Sequence, residues 1–289
     1  MTNQKTCIAL GFFDGVHIAH REILLSAINS AKEKNLQALA LTFDRSPREI
    51  LTLDKVDYIS TPDDKRKLIS SLGCEVHFLP ATRSILDMAP RDFVKEILVD
   101  KFNVQHICCG YNYRFGKSAS GDSALLSALG EEFGFSVNVI DCVEMYGESV
   151  SSSRIRHLIT KGDIKTANEL LGRSFSLSGT VVEGKHLGKK LGFPTANIYP
   201  ESSLIKPKHG VYKTIVTTVN GVFPAITNVG SNPTVGGEEF HLETYIPDFN
   251  SDLYQTEMTV EFINYIRGEL KFDNLNALKE QIKKDISAN

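Results

Sequence analysis

Five short, unbroken apolar runs alternate with amphipathic helical patterns over residues 1–160, and then the rhythm stops. The runs are 6–10 (TCIAL), 37–43 (QALALTF), 75–79 (EVHFL), 104–109 (VQHICC) and 136–140 (SVNVI). Helical patterns fall near 19–34, 62–72, 90–101 and 122–133. A strand without polar alternation needs cover on both faces, and helices that follow each strand in turn supply it. The first half therefore reads as α/β, a doubly wound parallel sheet, which binds ligands beyond the carboxyl ends of its strands.

Beyond residue 175 the segments 176–183, 211–219, 222–229, 240–246 and 256–264 are β-rich, with Asn220-Gly221 as a hairpin signal between two of them. A helical pattern over 274–286 closes the chain. The second half reads as an antiparallel β-barrel with a terminal helix. At 289 residues two domains are expected, 1–160 and 175–289, joined by short helices over 161–174.

The net charge of -3 offers no general attraction for nucleic acid or an acidic membrane. No apolar run approaches the roughly 18 residues of a membrane span. The first residues, MTNQKT, lack the basic-then-apolar order of a signal peptide. All five cysteines lie in the first half without CxxC spacing, which fits buried, reduced thiols better than disulfides or a metal site. A cytoplasmic protein is expected.

Two stretches carry anion chemistry. In CIALGFFDGVHIAHREIL, Gly11, Gly15, His17 and His20 stand where the first strand meets a helix. Backbone N–H groups of such a turn, the helix N-terminus and two imidazoles all suit phosphate; a tight strand-to-helix turn with capping histidines is the plainer alternative. In VSSSRIR, Ser151, Ser152 and Ser153 precede Arg154 and Arg156 at another helix start; here an ordinary serine cap with solvated arginines is the alternative. GYNYRFGKSASGD contains GKS, but five residues separate Gly110 from Gly116 where a P-loop needs four.

In the second half, GTVVEGKHLGKKLGFPTANI repeats glycine every four residues among lysines. Thr195 and Asn197 lie two apart, on one side of an extended segment. Oxygen donors in that arrangement suit Mg²⁺.

GFFDGVHIAH together with SSSRIR resembles the adenylyltransferase domain of the prokaryotic bifunctional riboflavin kinase/FMN adenylyltransferase (FAD synthetase) family. FPTAN, HGVY, TNVGSNPTV, LETYIPDFNSDLY and IRGELKF resemble its kinase domain, in order. The resemblance implies ATP-dependent phosphorylation of riboflavin to FMN, with ADP released, and adenylylation of FMN to FAD, with pyrophosphate released. It implies Mg²⁺ as cofactor, held by Thr195 and Asn197, and catalytic roles for Glu243, His17, His20, Ser152 and Arg156. ATP and phosphate contacts are implied at Gly11, Phe13, Asp14, Gly15, Asn112, Ser151, Ser153, Gly184, Lys185, Gly188, Lys189, Gly192 and Pro194. Flavin contacts are implied at Phe43, Arg45, Ser46 and Arg267. The sequence departs from the family pattern at Ala19, where a glycine is usual, at Arg45 and Ser46 in TFDRSP, and mildly at Ser153, Lys189 and Gln255. Those departures leave open an enzyme with one active half, or a flavin- or nucleotide-binding regulator without turnover.

Overall fold

In a computed structural model that describes residues 4–183, 193–234, 237–270 and 275–287, the chain forms two compact units, Met1–Ser152 and Ser153–Asn289. Residues 153–160, read from sequence as the end of the first domain, group with the second unit.

The first unit is built on a five-stranded parallel sheet: β1 (Thr6–Leu10), β2 (Gln37–Phe43), β3 (Glu75–Leu79), β4 (Val104–Gly110) and β5 (Ser136–Ile140), in the order β3-β2-β1-β4-β5. Helices α1 (Ile18–Lys34), α2 (Pro62–Ser71) and α3 (Ser123–Phe133) lie between strands. The expected helix over 90–101 is a turn at Pro90–Asp92 running into a π-helix, Phe93–Lys101.

The five residues of β1 are all buried because both faces of the strand are covered. Cys7 and Ala9 pack with Leu24, Ala27 and Ile28 of α1, while Ile8 and Leu10 pack with Phe93, Leu98 and Leu126 on the other side. That is why the run shows no polar alternation. The chain lays down β2 and β3 on one side of β1 and then crosses to place β4 on the other. The resulting switch point opens a crevice at the carboxyl ends of β1 and β4.

The second unit begins with α4 (Ser152–Lys161), whose first residue closes the first unit, and α5 (Ile164–Leu171). A curled six-stranded antiparallel sheet follows: β6 (Phe175–Thr180), β7 (Thr195–Ile198), β8 (Gly210–Thr218), β9 (Gly221–Thr234), β10 (Gly237–Tyr245) and β11 (Glu257–Arg267). The strand order is β6-β11-β8-β9-β10-β7. The sheet is a half-barrel, and an isolated bridge from Val182, just after β6, to Asn197 links its two edges. The Asn220-Gly221 signal falls in the tight turn after Thr218, whose hydroxyl accepts from Asn220 N–H at 3.1 Å.

Inside the curl, the Thr214, Thr227 and Thr244 hydroxyls form a buried ladder across three strands, with both contacts at 2.9 Å. Helix α6 (Leu275–Ser287) ends the chain.

Candidate active sites

A cavity of about 340 Å³ lies at the switch point of the first unit. Leu10, Gly11, Leu41, Phe43, Leu79 and Gly110 line it from the ends of four adjacent strands, with His20, Asn112 and Tyr113 alongside. Gly11, His20, Phe43 and Asn112, four of the residues singled out in the sequence, therefore face one space.

The turn that presents His20 is tightly wound. Phe13, Gly15 and Val16 all have positive φ (54°, 77° and 42°), a conformation unusual for the two side-chain-bearing residues. Long-range bonds hold it. Asp14, 1% exposed, accepts from Ile59 N–H at 3.0 Å and Ser60 N–H at 3.3 Å, and Gly15 N–H donates to Ser60 Oγ at 3.1 Å. Ser152 Oγ donates to Asp14 O at 2.9 Å, so the SSS stretch is tied to the turn as well. The Asp14 carboxylate thus accepts from two backbone donors 45 and 46 residues away. Phe13 is wholly buried, its ring edge-on to His20, and only its backbone is left to meet a ligand.

His17 caps α1: its Nδ1 accepts from His20 N–H at 3.3 Å, which places its proton on Nε2. The two imidazoles stack with ring centroids 3.5 Å apart. Burial first, and then the neighbouring His17 and Lys65, hold the His20 pKa well below 6.5, so its ring is neutral at physiological pH. Its Nδ1 is buried and has no hydrogen-bond partner among the described residues.

Lys65, which sequence reading passed over, is 2% exposed; its Nζ donates to Phe12 O at 2.8 Å and lies 4.0 Å from the centre of the Phe12 ring. Thr42 Oγ1 donates to the same carbonyl at 2.9 Å. Desolvation lowers the Lys65 pKa to about 8, against the opposing pull of Asp14 and Asp44. The only sequence signal was a lysine on an otherwise polar helix.

Arg45 is exposed, and Ser46 caps the short helix Pro47–Leu51 while its N–H donates to the Tyr58 hydroxyl at 2.8 Å. Neither lines the cavity, although Pro47 beside them does. Ser151 and Arg156 are half-buried and Ser153 is exposed, the last two on α4.

In the second unit, register assembles the polar row. Glu243 on β10 is the cross-strand partner of Asn197 on β7 and of Asn228 on β9, so two amides flank one carboxylate on the same face. Asn197 is 5% exposed, and its Nδ2 donates to Thr195 O at 3.4 Å. His241, 5% exposed and two residues before Glu243, places Nε2 3.6 Å from the Glu243 carboxylate. Neither Asn228 nor His241 was singled out from sequence. Pro194 is exposed just before β7. Gly184, Lys185, Gly188, Lys189 and Gly192 lie outside the described residues.

Arg267 is held elsewhere. Its guanidinium forms a two-pronged ion pair with buried Asp285 of α6, at 3.0 Å and 2.6 Å.

Residues 1–154 match the FAD synthetase family model and residues 171–289 the riboflavin kinase model. The bifunctional riboflavin kinase/FMN adenylyltransferase of Listeria monocytogenes is 33% identical over 289 residues, covering 98% of this chain and 91% of the relative. The Escherichia coli enzyme of the same description is 32% identical over 286 residues, covering 98% and 91%. A solved Streptococcus pneumoniae structure, described as a macrolide-efflux protein, superposes with a TM-score of 0.92 at 30% identity, covering 100% of this chain and 94% of that one. Among the described residues no helix is long and apolar enough to cross a membrane.

Together the matches define a two-domain transferase with a nucleotidyl-transferring half and a kinase half. The chain belongs to the family of bifunctional riboflavin kinase/FMN adenylyltransferases.

Proposed function

We propose that this chain makes FAD from riboflavin in two ATP-consuming steps, with residues 1–160 adenylylating FMN and residues 175–289 phosphorylating riboflavin. The observation that carries the reading is the His20 Nδ1: it is buried and has no partner among the described residues, on a neutral ring that lines the switch-point cavity. A buried polar atom without a bond costs about 1–3 kcal/mol, and a bound phosphate or nucleotide recovers that cost.

In the adenylyl step an FMN phosphate oxygen attacks the α-phosphorus of ATP and pyrophosphate leaves. The attacking oxygen is already deprotonated, so the site needs alignment and charge stabilisation rather than a strong base. His17, through Nε2–H, and His20 are the donors for the phosphates. Ser151 and Ser152, at the end of the first unit, are assigned to the same phosphates. Phe13, Asp14 and Gly15 act by holding the turn, Gly11 by leaving room at the strand end, and Phe43 and Asn112 as cavity walls.

In the kinase step the riboflavin primary hydroxyl attacks the γ-phosphorus and ADP leaves. Glu243 takes the hydroxyl proton, flanked by Asn197 and Asn228. Thr195 Oγ1 and Asn197 Oδ1 are hard oxygen donors next to a carboxylate, and the bond from Asn197 Nδ2 to Thr195 O turns the amide oxygen the other way. This donor set fits Mg²⁺, which when bound neutralises charge on the ATP phosphates. The glycines and lysines of 184–192 are assigned to the same ATP. Both reactions draw on cytoplasmic ATP, and the buried free cysteines suit a reducing compartment.

The test is purified protein with ATP and Mg²⁺, given riboflavin or FMN, with products separated by chromatography. FAD from both substrates, with FMN as an intermediate from riboflavin, is the expected result. FMN that stays unconverted would mean that Ala19, Arg45 and Ser46 mark a lost adenylyl step. No product from either substrate would favour a binding protein without turnover.

A further inference from the structure

A second cluster of chemically capable side chains lies in the first unit, away from the cavity lining. Cys7 on β1 and His106 and Cys108 on β4 are buried, and one ligand atom from each lies within 4.8 Å of the others. The register explains the meeting. Cys7 pairs with His106 and Ala9 with Cys108, and Cys7, Ala9 and Cys108 share the core layer packed against α1. Two sulfurs and an imidazole on neighbouring strands thus converge beneath one helix.

We propose that Cys7, His106 and Cys108 form a binding site for one thiophilic cation, Zn²⁺. Two thiolates with an imidazole are a donor set that soft and borderline cations select, and three protein ligands leave a fourth tetrahedral position for water. Bond lengths of about 2.3 Å to sulfur and about 2.0 Å to nitrogen put tetrahedral ligand atoms roughly 3.5–3.8 Å apart. The observed spacing closes to that by small side-chain movements.

The outer contacts are also of the right kind. His106 Nδ1 is 2.6 Å from Ser136 Oγ, which fixes the ring and leaves Nε2 for the metal. Ser26 Oγ of α1 lies 3.4 Å from Cys108 Sγ and accepts from Asn138 Nδ2 at 3.0 Å. Ser136 and Asn138 are exposed on the edge strand β5, which gives the ion a short way in. Binding replaces two S–H bonds with two Zn–S bonds and releases two protons to solvent. The site clamps β1 to β4 below the strand ends that carry the cavity, and it is independent of which flavin reaction runs there.

The experiment uses the full chain, stripped of metal under reducing conditions and titrated with Co²⁺ as an optical probe. Zn²⁺ is then titrated in competition with a chromophoric chelator. One equivalent of Co²⁺ should give a thiolate charge-transfer band and the visible bands of a tetrahedral ion, and Zn²⁺ should displace it. Cys7→Ser and Cys108→Ser should each abolish the band, while Cys142→Ser, at an exposed cysteine, should leave it unchanged. Ser136→Ala, at an exposed position that does not threaten folding, should weaken binding about 10- to 100-fold. Absence of the band in the unaltered chain would overturn the proposal. So would a band that survives Cys7→Ser and vanishes in Cys142→Ser.

Discussion

Gly15→Ala tests whether the turn beneath the cavity is as constrained as its geometry says. Gly15 has φ +77°, where an alanine costs roughly 1–2 kcal/mol. A Cβ there would lie 2.9 Å from Ile59 Cγ2 and 3.1 Å from Ile59 Cβ. Ile59 is 2% exposed and its N–H is bound to Asp14, so it has little freedom to retreat. Overpacking of that kind costs about 1–3 kcal/mol. The sum is about 2–5 kcal/mol, confined to the first unit. At about 2–4 °C per kcal/mol, calorimetry should show the first unit's transition fall by roughly 5–20 °C. Adding Ile59→Ala should recover the steric share and leave the backbone share, so the two changes should be strongly non-additive. FMN adenylylation should drop, while riboflavin phosphorylation persists. A Gly15→Ala protein within about 0.5 kcal/mol of the original, a typical surface effect, would refute the argument.

Lys65 predicts a pH signature. Its pKa falls from 10.5 to about 8 on folding, so between those values the unfolded chain holds the extra proton and stability rises with pH. The penalty is fully present below pH 8 and gone above 10.5. Measured against Lys65→Met, the original protein should gain about 3 kcal/mol across that window, and a flat difference would contradict the burial. Thr227→Val strands the hydroxyls of Thr214 and Thr244 inside the half-barrel and should cost about 1–3 kcal/mol in denaturant unfolding of the second unit. Asp285→Ala leaves the Arg267 guanidinium, 19% exposed, without its carboxylate, and should destabilise the same unit by about 3 kcal/mol. An unchanged melting profile would mean that the ion pair is solvated.

The strands of the first unit were legible because burial on both faces writes itself as a continuous apolar run; four of the five runs end where the strands end, and β4 extends one residue further. The antiparallel strands were found less sharply. β9 runs on to Thr234, well past the expected 229, because Asn228, Gly230 and Ser231 break the apolar pattern that marks a strand in sequence. The motifs drew attention to His20, Asn112, Thr195, Asn197 and Glu243 but gave no sign of the residues beside them. Asp14 meets Ile59 and Ser60 across 45 and 46 residues, and Arg267 meets Asp285 across a strand-to-helix connection. Asn228 reaches Glu243 only through strand register. Contacts of this kind are set by topology, and no local periodicity announces them. Asp14 and Arg267 show the same gap: a charged side chain near a motif looks available in sequence, while its partners in the fold lie far along the chain.

The central claim is that the two chemistries reside in separate halves, one built on His20 and the other on Glu243. The most direct test supplies riboflavin or FMN, with ATP and Mg²⁺, to the original protein and to Glu243→Gln and His20→Ala. The account predicts that Glu243→Gln makes no FMN yet still converts supplied FMN to FAD, and that His20→Ala makes FMN and stops there. Loss of both products in either variant, or of neither in both, would contradict it.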